Sequence, residues 1–349
     1  MKPSQLILTS PFVHANTSVQ KIMLQVQLAS FPALFTYFYF FGYGITIQWT
    51  LGILTALLVE AFMLKLRNRP IKPYLTDFSA LITVTGLAFS IPPDAPWWII
   101  VSGVSFALIF GKHLYGGLGY NPFNPAMLGF AFLIISFPLQ MTLWTTPIDV
   151  SGHKPTFLQS LEIIFLGHSQ GVTLDQITGA TPLGELKTNL TQNTPVTETL
   201  QSNLFNAFQT GIGWVWVNIA FIIGGLYLML TRTIRWQYPV GFLAGLGIMA
   251  SIFHQIDPNS YAPLSVHLLS GGTMLAAFFI ITDPITAPTT PRGRLFFAFS
   301  IGVLVYIIRN WGAFPDGIAF AILIMNMFVP LIDQYTQPRV FGHNKENTQ

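Results

Sequence analysis

Apolar stretches of membrane length recur along almost the whole chain, and this recurrence limits the fold more than any single motif. A helix needs about 20 apolar residues to cross a bilayer core. Runs near that length fall at residues 22–41, 47–66, 78–91, 96–110, 125–141, 213–231, 238–254, 266–282, 295–308 and 315–333. Only 8% of the residues are charged and 52% are hydrophobic, whereas a soluble domain carries about 25% charged residues. We therefore expect an all-α polytopic membrane protein with about ten transmembrane helices. The runs at 78–91 and 295–308 are short for a full crossing and are expected to be tilted, broken or re-entrant. Residues 1–20 hold only a brief apolar run and are not expected to be a signal peptide.

Cationic loops orient the spans. With both termini in the cytoplasm, every Lys and Arg falls on the inner side except Lys154, Lys187 and Arg309. Trp49, Trp97, Trp98, Trp144, Trp214, Trp216 and Trp311 then gather near outer ends, as interfacial aromatics do. This arrangement divides the chain into a first helical repeat (22–141), an extracytoplasmic loop (142–212), a second repeat (213–334) and a cytoplasmic tail (335–349). The repeats share a pattern: FNPAMLGFAFLI in the first half and FPDGIAFAILI in the second each follow a short span introduced by a Pro-rich turn. The first motif begins inside and the second outside, which is the signature of two inverted five-helix pseudo-repeats around a central site.

The outer loop is too polar for a large core. Phe157, Leu158, Leu161, Ile164 and Phe165 share a helical face, so 156–166 is expected to lie along the membrane surface, and 188–209 reads as a covering loop. Within the outer loop, residues 175–183 read DQITGATPL. Thr181 suits an N-cap and Pro182 the first helical position, where a missing N–H costs nothing. The same geometry would favour an anion, such as a phosphate ester, on the Thr181 hydroxyl. Local chemistry leaves both readings open.

Ionisable residues inside spans are candidates for function. Glu60 lies about one turn from the inner end of its span and is expected to reach toward Lys65 or Arg67. His254 and His267 lie near the outer ends of consecutive spans, where a histidine pair is more often hydrogen-bonded than bound to haem. The chain has no cysteine, which excludes disulfides, thiolate nucleophiles and iron–sulfur ligation by this polypeptide.

Several stretches together resemble one family, the D subunits of Rnf electron-transport complexes, which is related to the B subunit of the sodium-pumping NADH:quinone reductase. They are SPFVHANTSVQKIM (10–23), NRPIKPYLTDFSALIT (68–83), KHLYGGLGYNPFNPAMLG (112–129), the TGAT of 178–181, TDPITAPTTPRGRL (282–295), PDGIAFAILIMN (315–326) and PLIDQYTQPRVFGH (330–343). Phe12 replaces a histidine usual in the family, and Gln176 replaces a small residue. The resemblance implies a urea-channel-like fold and FMN bound covalently to Thr181 through a phosphoester. Asp175, Thr178, Gly179 and Ala180 would form the pattern read by a flavin transferase. It also implies a second, non-covalent flavin, riboflavin, near Asn121 and Asn124, which as residues read equally well as helix caps before Pro125. Asp283, Thr286 and Thr290 could line the same polar cavity, or merely cap and turn, and Arg309 could pair with a flavin phosphate.

On this resemblance the chain is an electron-carrying subunit of an ion-motive oxidoreductase in the bacterial inner membrane, without a complete catalytic site of its own. Its partners would be the lipid bilayer and the other Rnf subunits (A, B, C, E and G), with no nucleic acid. The rival readings are a channel or transporter of urea-channel-like fold without flavin, and the quinone-reductase B subunit itself.

Overall fold

The computed structural model describes residues 18–169, 173–205 and 209–338. The first half contains α1 (Val19–Phe41), α2 (Gly44–Leu66), α3 (Ser79–Ala88), α4 (Trp97–Phe106) and α5 (Pro125–Ser136). The intervening segment carries two helices of note, α6 (Phe157–Leu166) and α7 (Pro182–Thr191). The second half holds α8 (Trp214–Leu230), α9 (Gln237–Ile256), α10 (Leu264–Leu269), the single turn α11 (Thr273–Leu275), α12 (Pro291–Trp311) and α13 (Ile318–Thr336). Among the described residues two π-helical segments interrupt this pattern: Ala107–His113 prolongs α4, and Ala276–Ile280 prolongs α11. Wide turns of this kind are rare and concentrate at functional sites.

α2, α9, α12 and α13 are long and apolar enough to cross a membrane, and shorter apolar helices accompany them. The fold is thus all-α and polytopic. Short α3 matches the expectation for 78–91. The 295–308 run does not: it lies inside the 21-residue α12, because Thr290 caps the Gly293 N–H and Pro291 takes the first helical position, so the helix begins in the preceding turn. The interrupted span of the second half is instead 266–282, broken by Ser270–Gly271–Gly272, where Gly271 has φ +63°.

The first helix of each half meets its counterpart, α1 on α8, and so does the last, α5 on α13. Small residues allow the closest approaches, as expected where lipid gives helices no hydrophobic reason to associate. A Cβ at Gly224 would lie 2.1 Å from the Ala29 carbonyl oxygen of α1. On α9, Gly241 and Gly245 stand one turn apart facing α12. A Cβ at Gly245 would meet the Phe299 oxygen at 2.3 Å, and one at Gly302 would meet the Phe242 oxygen at 2.3 Å. The α9 and α12 backbones therefore touch.

The segment between the halves is more ordered than a covering loop. α7 turns Leu183 and Leu186 toward Val196, Leu204, Phe205, Ala262 and Val266, a small satellite core separate from the main one. α6 buries Ser160, Ile163 and Ile164 and leaves Phe157, Leu158, Phe165 and Leu166 exposed. Its Phe157 ring packs edge-on against Tyr43, just before the start of α2.

Candidate functional site

Thr181 is the N-cap of α7: its backbone is extended (φ −73°, ψ 158°) and its Oγ1 accepts the Gly184 N–H at 3.1 Å. The chain reaches this cap along a two-residue antiparallel ladder that pairs Thr178 with Thr145 and Gly179 with Trp144. The Thr146 N–H and hydroxyl both donate to the Ile177 oxygen, each at 2.8 Å. Thr145 in turn donates to Asp94 Oδ2 at 2.9 Å. Burial pushes the Asp94 carboxyl up to about 6, against the opposing hydrogen bond from Thr145. Upstream, Asp175 is exposed in the short Leu174–Ile177 helix, and Thr178 Oγ1 donates to the Leu174 oxygen at 2.8 Å. Gln176 Oε1 accepts the Thr173 N–H at 3.1 Å, which gives this unusual residue a local capping role. Asp175, Thr178, Gly179, Ala180 and Thr181 thus form one continuous surface strip, with Asp175 and Ala180 exposed.

Ala180 and Thr181 also edge a cavity of about 440 Å³ that runs into the bundle. Its walls combine Tyr37, Phe89, Phe130 and Trp144 with Trp214 and Leu275, so both halves contribute. This is the size and aromatic character of an ordinary small-molecule pocket, about 300–1,000 Å³. Its volume and aromatic walls are those of a site for a planar ring system. An anion at Thr181 would have the Gly184 N–H at the α7 N-terminus in its favour and Glu185 in the first turn against it.

Arg309 is not free to bind a phosphate. Its Nε and Nη2 donate to Asp316 Oδ1 at 3.3 and 3.1 Å, Nη1 to the His267 oxygen at 2.8 Å, and Nη2 to Thr273 Oγ1 at 2.9 Å. Asp316 Oδ2 accepts the Gly272 N–H at 3.1 Å. The start of α11 is thereby held by a carboxylate on backbone N–H and a guanidinium on its first hydroxyl. α3 is held in the same way. Phe78 adopts φ +61°, which lets Asp77 Oδ1 accept the Ser79 N–H at 2.8 Å, while Lys112 Nζ donates to Ser79 Oγ at 2.8 Å.

Glu60 forms a buried hydrogen-bonded ion pair with Lys112, rather than reaching Lys65 or Arg67 as expected. The π-helical segment carries Lys112 into the bundle, so it is not a loop residue. His113 lies beside the pair, and Arg67 Nη1 donates to the His113 oxygen at 3.3 Å.

Lys112 also borders a second cavity, about 210 Å³, lined by Gln27, Thr85, Asn121, Asn124 and Asp283 among others. Asn124 is engaged through both ends of its amide. It caps α5 through the Met127 N–H (3.2 Å), donates Nδ2 to the Ile280 oxygen (3.4 Å), and gives its own N–H to Asn326 Oδ1 (3.2 Å). Asn121 is different: Nδ2 donates to the Phe123 oxygen, while Oδ1 is buried with no hydrogen-bond partner among the described residues. Thr286 lies behind the wall, donating to Asp283 Oδ2 at 3.0 Å. Thr290 caps α12 and pairs with Thr336 outside this lining. The candidate set therefore divides into Asn121 and Asp283 as wall groups with polar reach, Asn124 and Thr286 as supports, and Thr290 as a helix cap. At about 210 Å³ this cavity is smaller than an ordinary small-molecule pocket, about 300–1,000 Å³.

His254 Nδ1 is 2.8 Å from the Tyr261 oxygen, whereas the His267 ring packs on Tyr306 and neither of its nitrogens has a hydrogen-bond partner among the described residues. Among the described residues no group of three or more His, Cys, Asp or Glu could hold a metal ion.

Residues 6–342 match the NQR2, RnfD, RnfE family. Three similar proteins are each described as the D subunit of an ion-translocating oxidoreductase complex. The one from Yersinia enterocolitica serotype O:8 / biotype 1B is 50% identical over 347 residues, 97% of this chain and 99% of that protein. Those from Aliivibrio salmonicida and Escherichia fergusonii are 49% and 48% identical, each over 97% of this chain and 99% of the relative.

Proposed function

This chain belongs to the NQR2, RnfD, RnfE family, and from that premise we propose how it serves as the D subunit of an ion-translocating oxidoreductase complex. In our reading Thr181 carries FMN through a phosphoester and the aromatic cavity beneath it receives the ring. The observation that carries this reading is the placement of half-buried Thr181 next to exposed Ala180 and at the edge of that cavity. Asp175 and Ala180 are open to a modifying transferase, and the cavity shields what is attached. Bound there, FMN supplies electron transfer that no side chain of this polypeptide can perform.

The chain's own residues position and enclose. The 144–145 ladder fixes the approach to Thr181, the α7 cap orients its Oγ1, and Trp144, Trp214 and Tyr37 exclude water. Asn121 Oδ1 offers an acceptor to a donor group such as the imide of a second flavin, riboflavin, and Asn124 and Thr286 hold the wall in place. In the membrane, the two halves act as inverted repeats. The Thr181 end lies outside the cytoplasm and both termini lie inside, in the bacterial inner membrane, beside the other Rnf subunits.

The test is covalent flavin fluorescence on a denaturing gel, with the full chain co-expressed with its flavin transferase. The wild-type band is expected to fluoresce and Thr181→Val to be dark at equal protein level. A dark wild-type band, or a bright Thr181→Val band, would overturn the assignment.

A further inference from the structure

The cavity beneath Thr181 has two charged groups in its lining, Asp316 and Lys187. Asp316 is compensated, since both its oxygens are taken by the Arg309 guanidinium and the Gly272 N–H. Lys187 has no carboxylate within ion-pair distance among the described residues. Its Nζ donates to the Arg309 oxygen at 3.0 Å and the Phe314 oxygen at 3.2 Å, at the end of α12 and just beyond it. Two of three ammonium donors are thereby used, and one remains. Partial burial lowers its pKa, so the charge is incompletely hydrated, and a poorly hydrated charge acts more strongly on its neighbours.

The position is built by the helix. Gly184, Lys187, Thr188 and Thr191 all border the cavity, and their spacing of three, four and seven defines a single face of α7. Leu186, on the far side of α7, and Leu183, at the cavity edge, anchor the helix in the satellite core. Along that face Lys187 stands about 9 Å from the Thr181 cap at the helical rise per residue. A ring system tethered at Thr181 and lying along α7 would extend over this distance.

We propose that Lys187 is the positioning residue that sets the electron affinity of the flavin tethered at Thr181, its ammonium balancing the negative charge of the reduced ring. This rests on the covalent FMN reading above. With FMN bound there, uptake of one electron from a one-electron reductant such as dithionite would form and break no bond and take up no proton, and Lys187 would stay protonated as the counter-charge.

The experiment is a dithionite redox titration of the intact flavinylated complex, followed by the visible spectrum of the Thr181-linked flavin. Lys187→Gln is expected to weaken the first electron's binding about tenfold, a shift of about 59 mV to lower potential for one electron. Lys187→Arg is expected to keep the wild-type potential, because it retains the charge. Should Lys187→Gln fail to assemble, Thr188→Glu places a carboxylate on the same exposed face, leaves the Lys187 contacts intact, and is expected to shift the potential in the same direction. Fluorescent bands with unmoved potentials in Lys187→Gln or Thr188→Glu would overturn the proposal for Lys187 and leave the Thr181 assignment standing. A dark wild-type band would overturn both.

Discussion

The Glu60–Lys112 pair permits a sharp energetic test. Both residues are almost completely buried, at 1% and 3% exposure, and the hydrogen-bonded contact between them joins α2 to the π-helical end of α4. Lys112→Met would strand a carboxylate in a low-dielectric site, and breaking a buried pair from one side costs about 3–5 kcal/mol. Glu60→Gln is also costly, because it leaves the Lys112 ammonium buried without a carboxylate, although an amide oxygen and the Ser79 hydroxyl still accept from it. Adding Glu60→Gln to Lys112→Met removes the stranded charge and should recover at least about 2 kcal/mol of the loss. Ser79 does not obscure the cycle, since its hydroxyl keeps Asp77 as a partner when Lys112 is gone. The assay is thermal survival of the detergent-solubilised chain, read by size-exclusion chromatography of a fluorescent fusion. The expected order of midpoints is wild type, the double variant, then the two single variants. A double variant no more stable than Lys112→Met would refute the reasoning, because the cost would then come from lost packing rather than from an unpaired charge.

Two further outcomes follow from single sites. Asp94 titrates at about 6 in the fold against an ordinary value of 3.8, so its contribution is fully present below pH 3.8 and is lost as pH rises through 6. That difference corresponds to about 3 kcal/mol. Thermal melts of wild type should fall relative to Asp94→Asn between pH 4 and 7, and parallel curves would refute the shift. Gly302→Ala places a methyl group 2.3 Å from the Phe242 oxygen, an overpacking expected to cost about 1–3 kcal/mol or more. The same heating assay should show a clear drop for Gly302→Ala and little change for Gly247→Ala, where the nearest atom to the added Cβ, on Leu264, is 3.5 Å away.

Most of the membrane architecture was legible from apolar length and from Pro and Gly punctuation. Thr181–Pro182 announced the start of α7, and the apolar face of 157–165 announced α6. The misreadings came from residues whose partners are distant in sequence. Glu60 and Lys112 are 52 positions apart, and a π-helical extension, which carries no periodicity signal, moved Lys112 from the expected loop into the bundle. Arg309 looked unpartnered because its carboxylate, Asp316, sits beyond the next turn within a motif that reads as a helix start. The break in the 266–282 run was visible as Ser270–Gly271–Gly272, yet apolar averaging over the window concealed it. Asn121 and Asn124 are three residues apart with the same side chain. Only the partners contributed by Met127 and Ile280 separate the amide engaged at both ends from the one with a free acceptor.

The glycine seam between α9 and α12 has a mechanical consequence. Where two backbones meet without side chains between them, neither helix can ratchet along the other without carbonyl colliding with carbonyl. The two helices form a single stiff spar. Any displacement that accompanies turnover in the second half must then be absorbed by the discontinuous stretch 264–280, which hangs from that spar through Arg309 and is the part of the half without an unbroken hydrogen-bond ladder of its own.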